Sequence, residues 1–450
     1  MSSPSIPQND LATLYQRPVE LLQHLLRFET INPPGNEAAC IAFADRVLRE
    51  SGFETQILGR DENRTNLITR LSGRGDAPPL LMYGHVDVVT TEGQRWTHPP
   101  FEGKVVDGYI WGRGTLDMKG EVVMMMAALM QAKAQGFTPP GDVVLTLVSD
   151  EEAGGEYGAK YLVDDHADLF EGIRYAIGEA GGFSFYVGGA KLYPIMVAEK
   201  QICWTKATVR GRGGHGSMPV HGEAMAKLAR VLQTLDQQRL PVHVPPATRQ
   251  MIESMASALP SPQSEGLRLL LNPEMTDGVL DQMGPTGAIL DPLLHNTVSP
   301  TILHGSSKIN VIPAEVSVEL DGRLLPGYSP ADMVSELRQL LGDEVELTVI
   351  RHDPGPPEPD MGLFDTLADI LRRADPQGTP APLLMSGVTD ARHFSRLGIQ
   401  TYGFTPMNMP PDFDFWKLAH GADERIPLGA LEFGIERIYE LLHRFAEGNG

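Results

Sequence analysis

The chain has 450 residues, a formal net charge of −21, 42% hydrophobic residues and 21% charged residues. That length is more than one hydrophobic core ordinarily supports and predicts two domains, while the composition excludes an extended disordered chain. The excess of acidic residues argues against nucleic acid or an anionic membrane surface as a partner.

The cysteines and the apolar segments indicate the cellular compartment of the protein. Only two cysteines are present, Cys40 and Cys203, which excludes a disulfide scaffold and favours a reducing compartment. Residues 1–10 lack the basic start and apolar stretch of a signal peptide. The longest apolar run, 122–130, is shorter than the roughly 20 residues that a membrane span needs. We therefore expect a cytoplasmic protein with no membrane partner.

Helical and strand-like segments alternate over the first part of the chain. Apolar residues at helical spacing predict helices at 19–28, 38–51 and 120–135. Strand-like patterns predict short strands at 66–71, 79–83, 142–149 and 174–178. This alternation predicts an α/β domain with a largely parallel sheet covered by helices on both faces.

The pattern changes near residue 198. Predicted strands and helices then follow in the order strand 201–210, helix 222–237, strands 307–312 and 315–325, helix 329–341 and strand 344–350. This β-α-β-β-α-β order is typical of a ferredoxin-like α+β domain. Residues 241–304 form a long insertion within it, and a segment of that length is usually functional.

A proline-rich linker at 353–359 precedes a return of the helix-strand alternation. The sequence thus predicts a larger domain in two parts, 1–197 and 353–450, with a smaller domain inserted at 198–352.

Acidic residues and a histidine stand where predicted strands end. His85 and Asp87 are two residues apart, a spacing that places both on one face of a strand. A metal-bound histidine usually donates its other ring N–H to a carboxylate, and Asp87 can accept it. Taken alone, this pair is more often a surface or capping feature than a metal site.

Further acids follow the same rule. Asp117 precedes a predicted buried helix, where a carboxylate is also favoured by the helix dipole. Asp150, Glu151 and Glu152 follow a buried strand, and Glu179 follows another. Adjacent carboxylates repel unless they are solvated or bind a cation, so a solvated acidic loop is the alternative. Because ligands of open α/β sheets bind at the carboxyl ends of strands, we expect these acids to converge there.

The sequence resembles one known family over nearly its whole length. The family is the zinc-dependent group of carboxypeptidase S, glutamate carboxypeptidase, aminoacylase, acetylornithine deacetylase and succinyl-diaminopimelate desuccinylase. The matching segments occur in the order GHVDVV, WGRGTLDMKG, SDEEAGGEYGAK, GGHGSMP, INVIPAE, DGRLLPG, GVTDARHF and AHGADERIP. The EAGG and SPT segments and the long insertion favour the carboxypeptidase S branch. The resemblance also implies a zinc-exopeptidase-type mixed sheet in a catalytic domain formed by 1–197 and 353–450, and a dimerisation or lid role for the inserted domain 198–352.

The resemblance implies two Zn²⁺ ions per subunit, with Co²⁺ or Mn²⁺ as other ions that carboxylate-rich sites accept. The implied ligands are His85, Asp117 and Glu179 for one ion, and Asp117, Glu152 and His420 for the other.

The resemblance also implies the catalytic groups. Glu151 would be the general base for a metal-bound hydroxide, and Asp87 the partner of His85. His215 matches a family histidine that acts across a dimer interface as the oxyanion donor, which implies a homodimer. A loop histidine without function is the alternative for His215.

Five further positions match residues that hold the substrate. Arginine binds a carboxylate bidentately, although for each arginine here an ion pair with a neighbouring aspartate is the alternative. The matching residues are Asn310, Arg323, Gly387, Thr389 and Arg392.

Three details qualify the resemblance. Thr90 replaces the usual proline after the first motif, a change expected to alter only the loop. The GEAGG segment supplies a glutamate, which in the family accompanies peptidases and aminoacylases rather than the aspartate branches. The family has a cis peptide bond after its bridging aspartate, which predicts a cis Asp117–Met118 bond.

We therefore expect a metallohydrolase that cleaves an amide bond beside a free carboxylate in a peptide or N-acyl amino acid. A deacylase of the acetylornithine or succinyl-diaminopimelate type is one alternative, and a catalytically silent relative that binds a ligand is another. Carboxypeptidase, dipeptidase and deacylase would share every residue named above, and we expect part of 241–304 to form the pocket wall that separates them.

Overall fold

The computed structural model describes residues 8–356 and 358–449. The chain divides into two compact units. Unit 1 comprises residues 1–197, 360–383 and 389–450, and unit 2 comprises residues 198–359 and 384–388. The last strand of the first part of unit 2 ends at Asp353, and that part runs on to residue 359.

The strands, in chain order, are β1 (Thr55–Asp61), β2 (Arg64–Leu71), β3 (Leu80–His85), β4 (Lys104–Val106), β5 (Tyr109–Trp111), β6 (Val143–Val148), β7 (Tyr175–Gly178), β8 (Phe185–Val187), β9 (Ala190–Glu199), β10 (Gln201–Arg210), β11 (Gly214–His215), β12 (Thr297–His304), β13 (Val311–Ile312), β14 (Glu315–Leu324), β15 (Glu346–Asp353), β16 (Gly378–Met385), β17 (Gln400–Gly403) and β18 (Arg425–Pro427).

The α-helices are α1 (Gln8–Leu11), α2 (Pro18–Leu26), α3 (Ala38–Glu50), α4 (Lys119–Ala134), α5 (Ala159–Asp165), α6 (Ala224–Gln237), α7 (Pro246–Ala258), α8 (Gln263–Leu269), α9 (Pro273–Met283), α10 (Pro285–Leu290), α11 (Pro330–Leu341), α12 (Phe364–Ala374), α13 (Ala391–Phe394), α14 (Phe415–Leu418) and α15 (Leu428–Arg444). Among these helices, none is both long and apolar enough to cross a membrane.

Unit 1 is built on a nine-stranded mixed sheet in the order β1-β2-β6-β3-β7-β17-β9-β16, with β8 paired to β9. Its centre is parallel, because β3 pairs with β6 and β7, and β17 pairs with β7, in parallel. Strands β3 and β6 are buried along their whole length, as expected for parallel strands covered on both faces. In their register His85 lies opposite Val148, so the loop after β6 emerges beside His85.

Helix α4 is the most deeply buried long helix of unit 1. Nearly all of its residues are buried, including the run of methionines at 124–126. An apolar residue on every side suits a helix that is enclosed by its neighbours, and α2, α15 and strand β3 all contact it. The helix begins directly after Asp117 and Met118. Its packing therefore fixes the position of the backbone next to Asp117.

Unit 2 contains a four-stranded antiparallel sheet in the order β12-β14-β10-β15. Helices α6 and α11 pack on this sheet through an apolar cluster that includes Leu228, Val318 and Leu337. With the chain order β10-α6-β12-β14-α11-β15, this is a ferredoxin-like arrangement.

One predicted strand of unit 2 is wrong. The second strand of the sheet is β12, Thr297–His304, whereas residues 307–312 contribute only the two-residue strand β13, which pairs with β11. The signal of β12 is weak because it lies at the sheet edge, is largely exposed and contains Pro300, which interrupts a strand pattern. The predicted insertion 241–304 therefore contains this strand in addition to helices α7 to α10.

A glycine sets the approach of α15 to α4. A β-carbon at Gly434 would lie 2.2 Å from Met124 Sδ and 2.7 Å from the Pro406 carbonyl oxygen, whereas one at Gly429 in the same helix would meet nothing within 4 Å. We expect Gly434→Ala to lower the free energy of unfolding of unit 1 by about 1–3 kcal/mol through overpacking. Gly429→Ala is the matched control and is expected to be neutral or to stabilise by up to about 1 kcal/mol. Urea unfolding of both variants measures this, and equal losses of stability would contradict the packing argument.

Candidate metal centre

The predicted ligands reach one place in unit 1 from five separate segments. His85 is the last residue of β3, Glu152 lies in the turn after β6, and Glu179 directly follows β7. Asp117 precedes α4, and His420 lies between α14 and β18. Because β3, β6 and β7 are neighbouring parallel strands, their carboxyl ends meet at the same edge of the sheet.

Two groups of these side chains have the spacing of metal sites. Ligand atoms of His85, Asp117 and Glu179 lie within 4.8 Å of one another, and so do those of Asp117, Glu152 and His420. The two Asp117 oxygens face different histidines: Oδ1 lies 3.0 Å from His85 Nε2, and Oδ2 lies 2.9 Å from His420 Nε2. Asp117 therefore has the position of a bridging ligand. The Asp117–Met118 peptide bond is cis, as predicted.

The chemistry of the donors fits divalent cations. Each group offers one imidazole nitrogen and two carboxylates, a set that zinc accepts. Burial, with Asp117 nearby, raises the pKa of Glu152 to about 7. Hydrogen bonds to Asp117 and Glu152 raise the pKa of His420 to about 10. Protons on these groups thus offset the buried negative charge in the metal-free protein, where cations would do so in the loaded protein.

Asp87 organises the loop that carries Glu151 and Glu152. The backbone N–H groups of Glu151 and Glu152 donate to its two carboxylate oxygens, each at 3.1 Å. Asn32 Nδ2 donates to the same carboxylate at 2.9 Å. His85 Nδ1 lies 3.5 Å from Asp87 Oδ1 and 3.0 Å from the Asp87 carbonyl oxygen, so the predicted partner of His85 contacts it through backbone and side chain together. Although burial opposes ionisation, these hydrogen bonds keep the pKa of Asp87 low.

Glu424 performs the same task for the Asp117 loop. Its buried carboxylate accepts hydrogen bonds from three backbone N–H groups of residues 114–117. It also forms a buried ion pair with Arg113 at 2.5 Å, and Arg113 Nη2 donates to the His420 carbonyl oxygen at 3.0 Å. The pair therefore links the loops of two ligands. Sequence reasoning gave neither residue a role, although both stand inside the WGRG and HGADE segments of the recognised motifs.

Glu151 lies beside the ligands without belonging to either group. Burial, and next the charge of Glu179, raise the pKa of its carboxyl well above the usual value. A carboxyl group with a raised pKa holds a proton more strongly than an ordinary one does, which suits a general base. The backbone N–H of Glu151 donates to Asp87 Oδ1, and this hydrogen bond fixes the point of the loop from which the Glu151 side chain extends.

Two of the predicted substrate-binding residues lie in unit 1. Arg392 and Thr389 are both buried, and the Thr389 hydroxyl oxygen accepts the N–H of Ala391. Asp390, between them, makes no side-chain hydrogen bond among the described residues, and burial raises its pKa to about 8. Residues 389–392 therefore bring a buried guanidinium and a buried carboxyl group close together in the sequence, and such groups suit a polar ligand.

The other predicted residues, His215, Asn310, Arg323 and Gly387, belong to unit 2. His215 is exposed, and its Nδ1 lies 2.7 Å from a neighbouring serine hydroxyl. The Asn310 carbonyl oxygen accepts the N–H of Gly216, and Gly387 is half-buried. Arg323 forms the ion pair considered above, with Nε and Nη2 at 2.9 and 3.2 Å from the carboxylate of Asp321. Its Nη1 is buried and has no hydrogen-bond partner within the described part of the chain.

Comparisons with known proteins agree on one family. Residues 81–444 match the family described as Peptidase family M20/M25/M40. The chain is 29% identical over 388 residues to the probable carboxypeptidase S-like 2 of Dictyostelium discoideum, covering 81% of this chain and 71% of that protein. It is 27% identical over 441 residues to human aminoacylase-1, covering 95% of both.

A solved structure confirms the predicted α/β fold class. An M20 family metallo-carboxypeptidase from Sulfolobus solfataricus matches with a TM-score of 0.67 at 15% sequence identity, over 96% of this chain and 99% of that chain. At this identity the match shows the fold alone.

Metal binding is expected to depend on pH. At neutral pH the metal-free protein holds protons on Glu152, with a pKa of about 7, and on His420, with a pKa of about 10. A cation must displace these protons, so raising the pH lowers the cost of binding. We expect the affinity for Zn²⁺ to rise between about pH 6 and about pH 8, by about tenfold per pH unit for each proton displaced.

Competition with a chelator measures this affinity, and calorimetry in two buffers of different ionisation enthalpy counts the protons released. His166→Ala, which changes a half-buried histidine at the C-terminal end of α5 and outside both ligand groups, is the matched control and should leave the slope unchanged. A pH-independent affinity would contradict this description of the metal-free site.

Proposed function

Because the chain belongs to Peptidase family M20/M25/M40, as its motifs indicated, we propose that it is a two-zinc hydrolase of small peptides or N-acyl amino acids. It would cleave the amide bond beside a free carboxylate. The observation that carries this proposal is Asp117, whose two oxygens face the ligand histidines of two separate groups. A shared carboxylate of this kind supports two ions side by side rather than a single closed structural site.

Zinc held by His85, Asp117, Glu152, Glu179 and His420 would supply the electrophilic part of the chemistry, by lowering the pKa of a bound water and polarising the scissile carbonyl. The protein would supply the base. Glu151, held by Asp87 through its backbone N–H, would accept the proton of the attacking water and deliver it to the leaving nitrogen. The raised pKa of its carboxyl supports both steps, since a strongly acidic carboxylate would return the proton poorly.

Arginines would recognise the free carboxylate of the substrate. Arg392 is buried in unit 1, and Arg323 of unit 2 keeps one buried N–H donor atom, Nη1, outside its ion pair with Asp321. A planar guanidinium binds a carboxylate through two parallel hydrogen bonds. The names of the relatives support this substrate class, since carboxypeptidases and aminoacylases both act next to a carboxylate.

The peptidase and aminoacylase types are favoured over an aspartate-type deacylase and over a silent relative. The ligand after β7 is a glutamate, Glu179, which the resemblance associates with peptidases and aminoacylases rather than with the aspartate branches. A silent relative is disfavoured, because both ligand groups and Glu151 are present together. The two cysteines, Cys40 and Cys203, are buried and unpaired, which supports the proposed cytoplasmic location.

The enzyme would act as a homodimer through unit 2. Strand β12 lies at the edge of the unit 2 sheet and exposes Ile302 and Leu303, with 62% of the Leu303 surface accessible. An apolar edge strand is a template for pairing with a second chain. In this arrangement His215 would stabilise the oxyanion in the site of the partner chain.

Removal of the proposed base tests the chemistry. We expect Glu151→Gln to lower kcat by about 10²- to 10⁴-fold, because the base is lost, while both metal ions still bind. The assay is a panel of dipeptides, N-acetyl amino acids and N-succinyl amino acids, run with zinc and with chelator. The same substrates with an amidated carboxyl end are the control, and they should react poorly if arginines hold the carboxylate. Full activity of Glu151→Gln would refute the proposed base.

Mixing two inactive variants separates action in cis from action across the dimer. His215→Ala and Glu151→Gln are each expected to be inactive. When the two variants are mixed and allowed to exchange subunits, a heterodimer regains one site with an intact base and a donor from its partner. Activity should therefore return on mixing. A histidine that acted within its own chain would leave the mixture inactive.

Edge-strand variants provide the control for this mixing experiment. Leu303→Lys on β12 should abolish the recovery, because lysine at an edge strand opposes pairing. Ile350→Lys, at a residue 48% exposed on the opposite edge strand β15, should leave it intact. Sedimentation of each variant reports the oligomeric state directly.

A further inference from the structure

A buried acid of unit 1 has no part in the proposed chemistry. Glu121 lies on α4, one helical turn beyond Asp117, and its residue surface is 1% exposed. Its Oε1 lies 2.8 Å from the hydroxyl oxygen of Thr405. Its Oε2 is buried without a hydrogen-bond partner among the described residues. An ionised carboxylate in that position would leave one oxygen without any donor, which buried charges rarely tolerate.

The contacts of the Thr405 hydroxyl bear on which atom carries the proton. The Thr405 hydroxyl oxygen contacts two oxygens, Glu121 Oε1 at 2.8 Å and the Gly181 carbonyl oxygen at 3.0 Å. A hydroxyl has a single hydrogen to donate, and a carbonyl oxygen only accepts. Unless this one hydrogen is shared between the two oxygens, both contacts are hydrogen bonds only when Thr405 donates to Gly181 and Glu121 donates to Thr405. Glu121 can donate only as the protonated acid.

The surrounding charges agree with this assignment. Burial is the largest cause that raises the pKa of Glu121 well above its usual value, and the negative charge of Glu179 adds to it. Its hydrogen-bond partner Thr405 is neutral, and Glu121 contributes no atom to either ligand group. Like charges nearby and a low dielectric both favour the neutral acid.

Gly181 belongs to the loop that carries Glu179. This loop has little freedom: Ala180 has a φ of 68°, in the left-handed region, and a β-carbon at Gly181 would lie 2.3 Å from the Gly403 carbonyl oxygen. The Gly181 carbonyl oxygen also accepts the backbone N–H of Thr405 at 2.9 Å. The position of this loop therefore depends on its contacts with Thr405.

We propose that Glu121 is a protonated carboxylic acid that positions the Glu179 loop through a hydrogen-bond relay, from Glu121 to Thr405 and from Thr405 to the Gly181 carbonyl. Glu121 is thus a positioning residue, one that joins the helix after Asp117 to the loop of a second ligand. The neutral form makes the relay possible and adds no further negative charge beside Glu179. This role rests on Glu179 being a metal ligand, but not on the identity of the substrate.

Infrared spectroscopy tests the protonation directly. In the difference spectrum between the wild type and Glu121→Gln, both recorded at neutral pH in the presence of zinc, we expect the loss of the carbonyl stretch of a carboxylic acid. In Thr405→Val this band should remain and shift to higher frequency, because the acid has lost its acceptor. Loss of ionised carboxylate bands in Glu121→Gln, with no acid band, would overturn the proposal. This test gives its answer whether or not the protein hydrolyses any substrate.

Zinc affinity tests the positioning. The glutamine amide can donate to Thr405 as the acid does, so Glu121→Gln should bind zinc within about twofold of the wild type. Glu121→Leu and Thr405→Val break the relay and should weaken binding by about 10- to 100-fold, the usual effect of losing a group that orients a ligand. Thr405→Ser is the matched control and should bind as the wild type does.

The zinc titration distinguishes failure of the relay from failure of the proposed metal centre. If Glu121→Gln binds zinc as weakly as Glu121→Leu, the negative charge matters and the neutral relay is wrong. If the wild type itself binds no zinc, the proposed metal centre fails, while the infrared result still decides the protonation of Glu121.

Discussion

The repulsion between carboxylates held close together in a buried site is the constraint on which the architecture of unit 1 depends. Asp117 belongs to two ligand groups, each with a further carboxylate, and within each group the ligand atoms lie within 4.8 Å. Two like charges about 5 Å apart repel by about 3 kcal/mol at the effective dielectric constant of roughly 20 that suits proteins. A fold brings such groups together only where it also provides positive charge or protons. In the metal-free protein protonated histidines do this, and the proposed zinc ions would do it more fully.

The negative charge of the acids around the site is compensated in three different ways. The carboxylates of Asp87 and Glu424 hold loops, because backbone N–H groups and, for Glu424, the Arg113 guanidinium donate to their oxygens. The ligand carboxylates face histidine nitrogens and are left for cations. Among the described residues Glu121 has neither N–H donors nor a cation beside it, and in the proposed relay a proton neutralises it. The same residue type thus serves three purposes, and its donors decide which.

Much of this could be read from the sequence, and the misses have physical reasons. Strands β3, β6 and β7 were predictable because parallel strands buried on both faces are short apolar runs, and the acids that follow them then meet at one edge. The strand β12 was missed because an exposed edge strand with a proline lacks that pattern. Glu424 was missed because its donors lie some 310 residues earlier in the chain, so no local pattern shows them.

The insertion of unit 2 was expected to be functional, and a pocket wall must keep its shape to discriminate between substrates. The residues that close the insertion are anchored by buried polar contacts. Lys200 Nζ donates to the carbonyl oxygens of Pro292 and His295 at 2.9 and 2.8 Å. Asn296 donates to both oxygens of Glu336 and accepts the N–H of Leu325.

Breaking one such buried contact leaves a polar group without a hydrogen-bond partner, which costs free energy. The contacts therefore stabilise one another cooperatively. The segment that contains helices α7 to α10 is therefore anchored to the rest of unit 2 by these contacts. A pocket wall built on this segment, as expected from the sequence, would select by excluded volume instead of adapting to each ligand. Under the proposed function, differences in rate between peptides and N-acyl amino acids would then arise from fit, and not from the reacting groups.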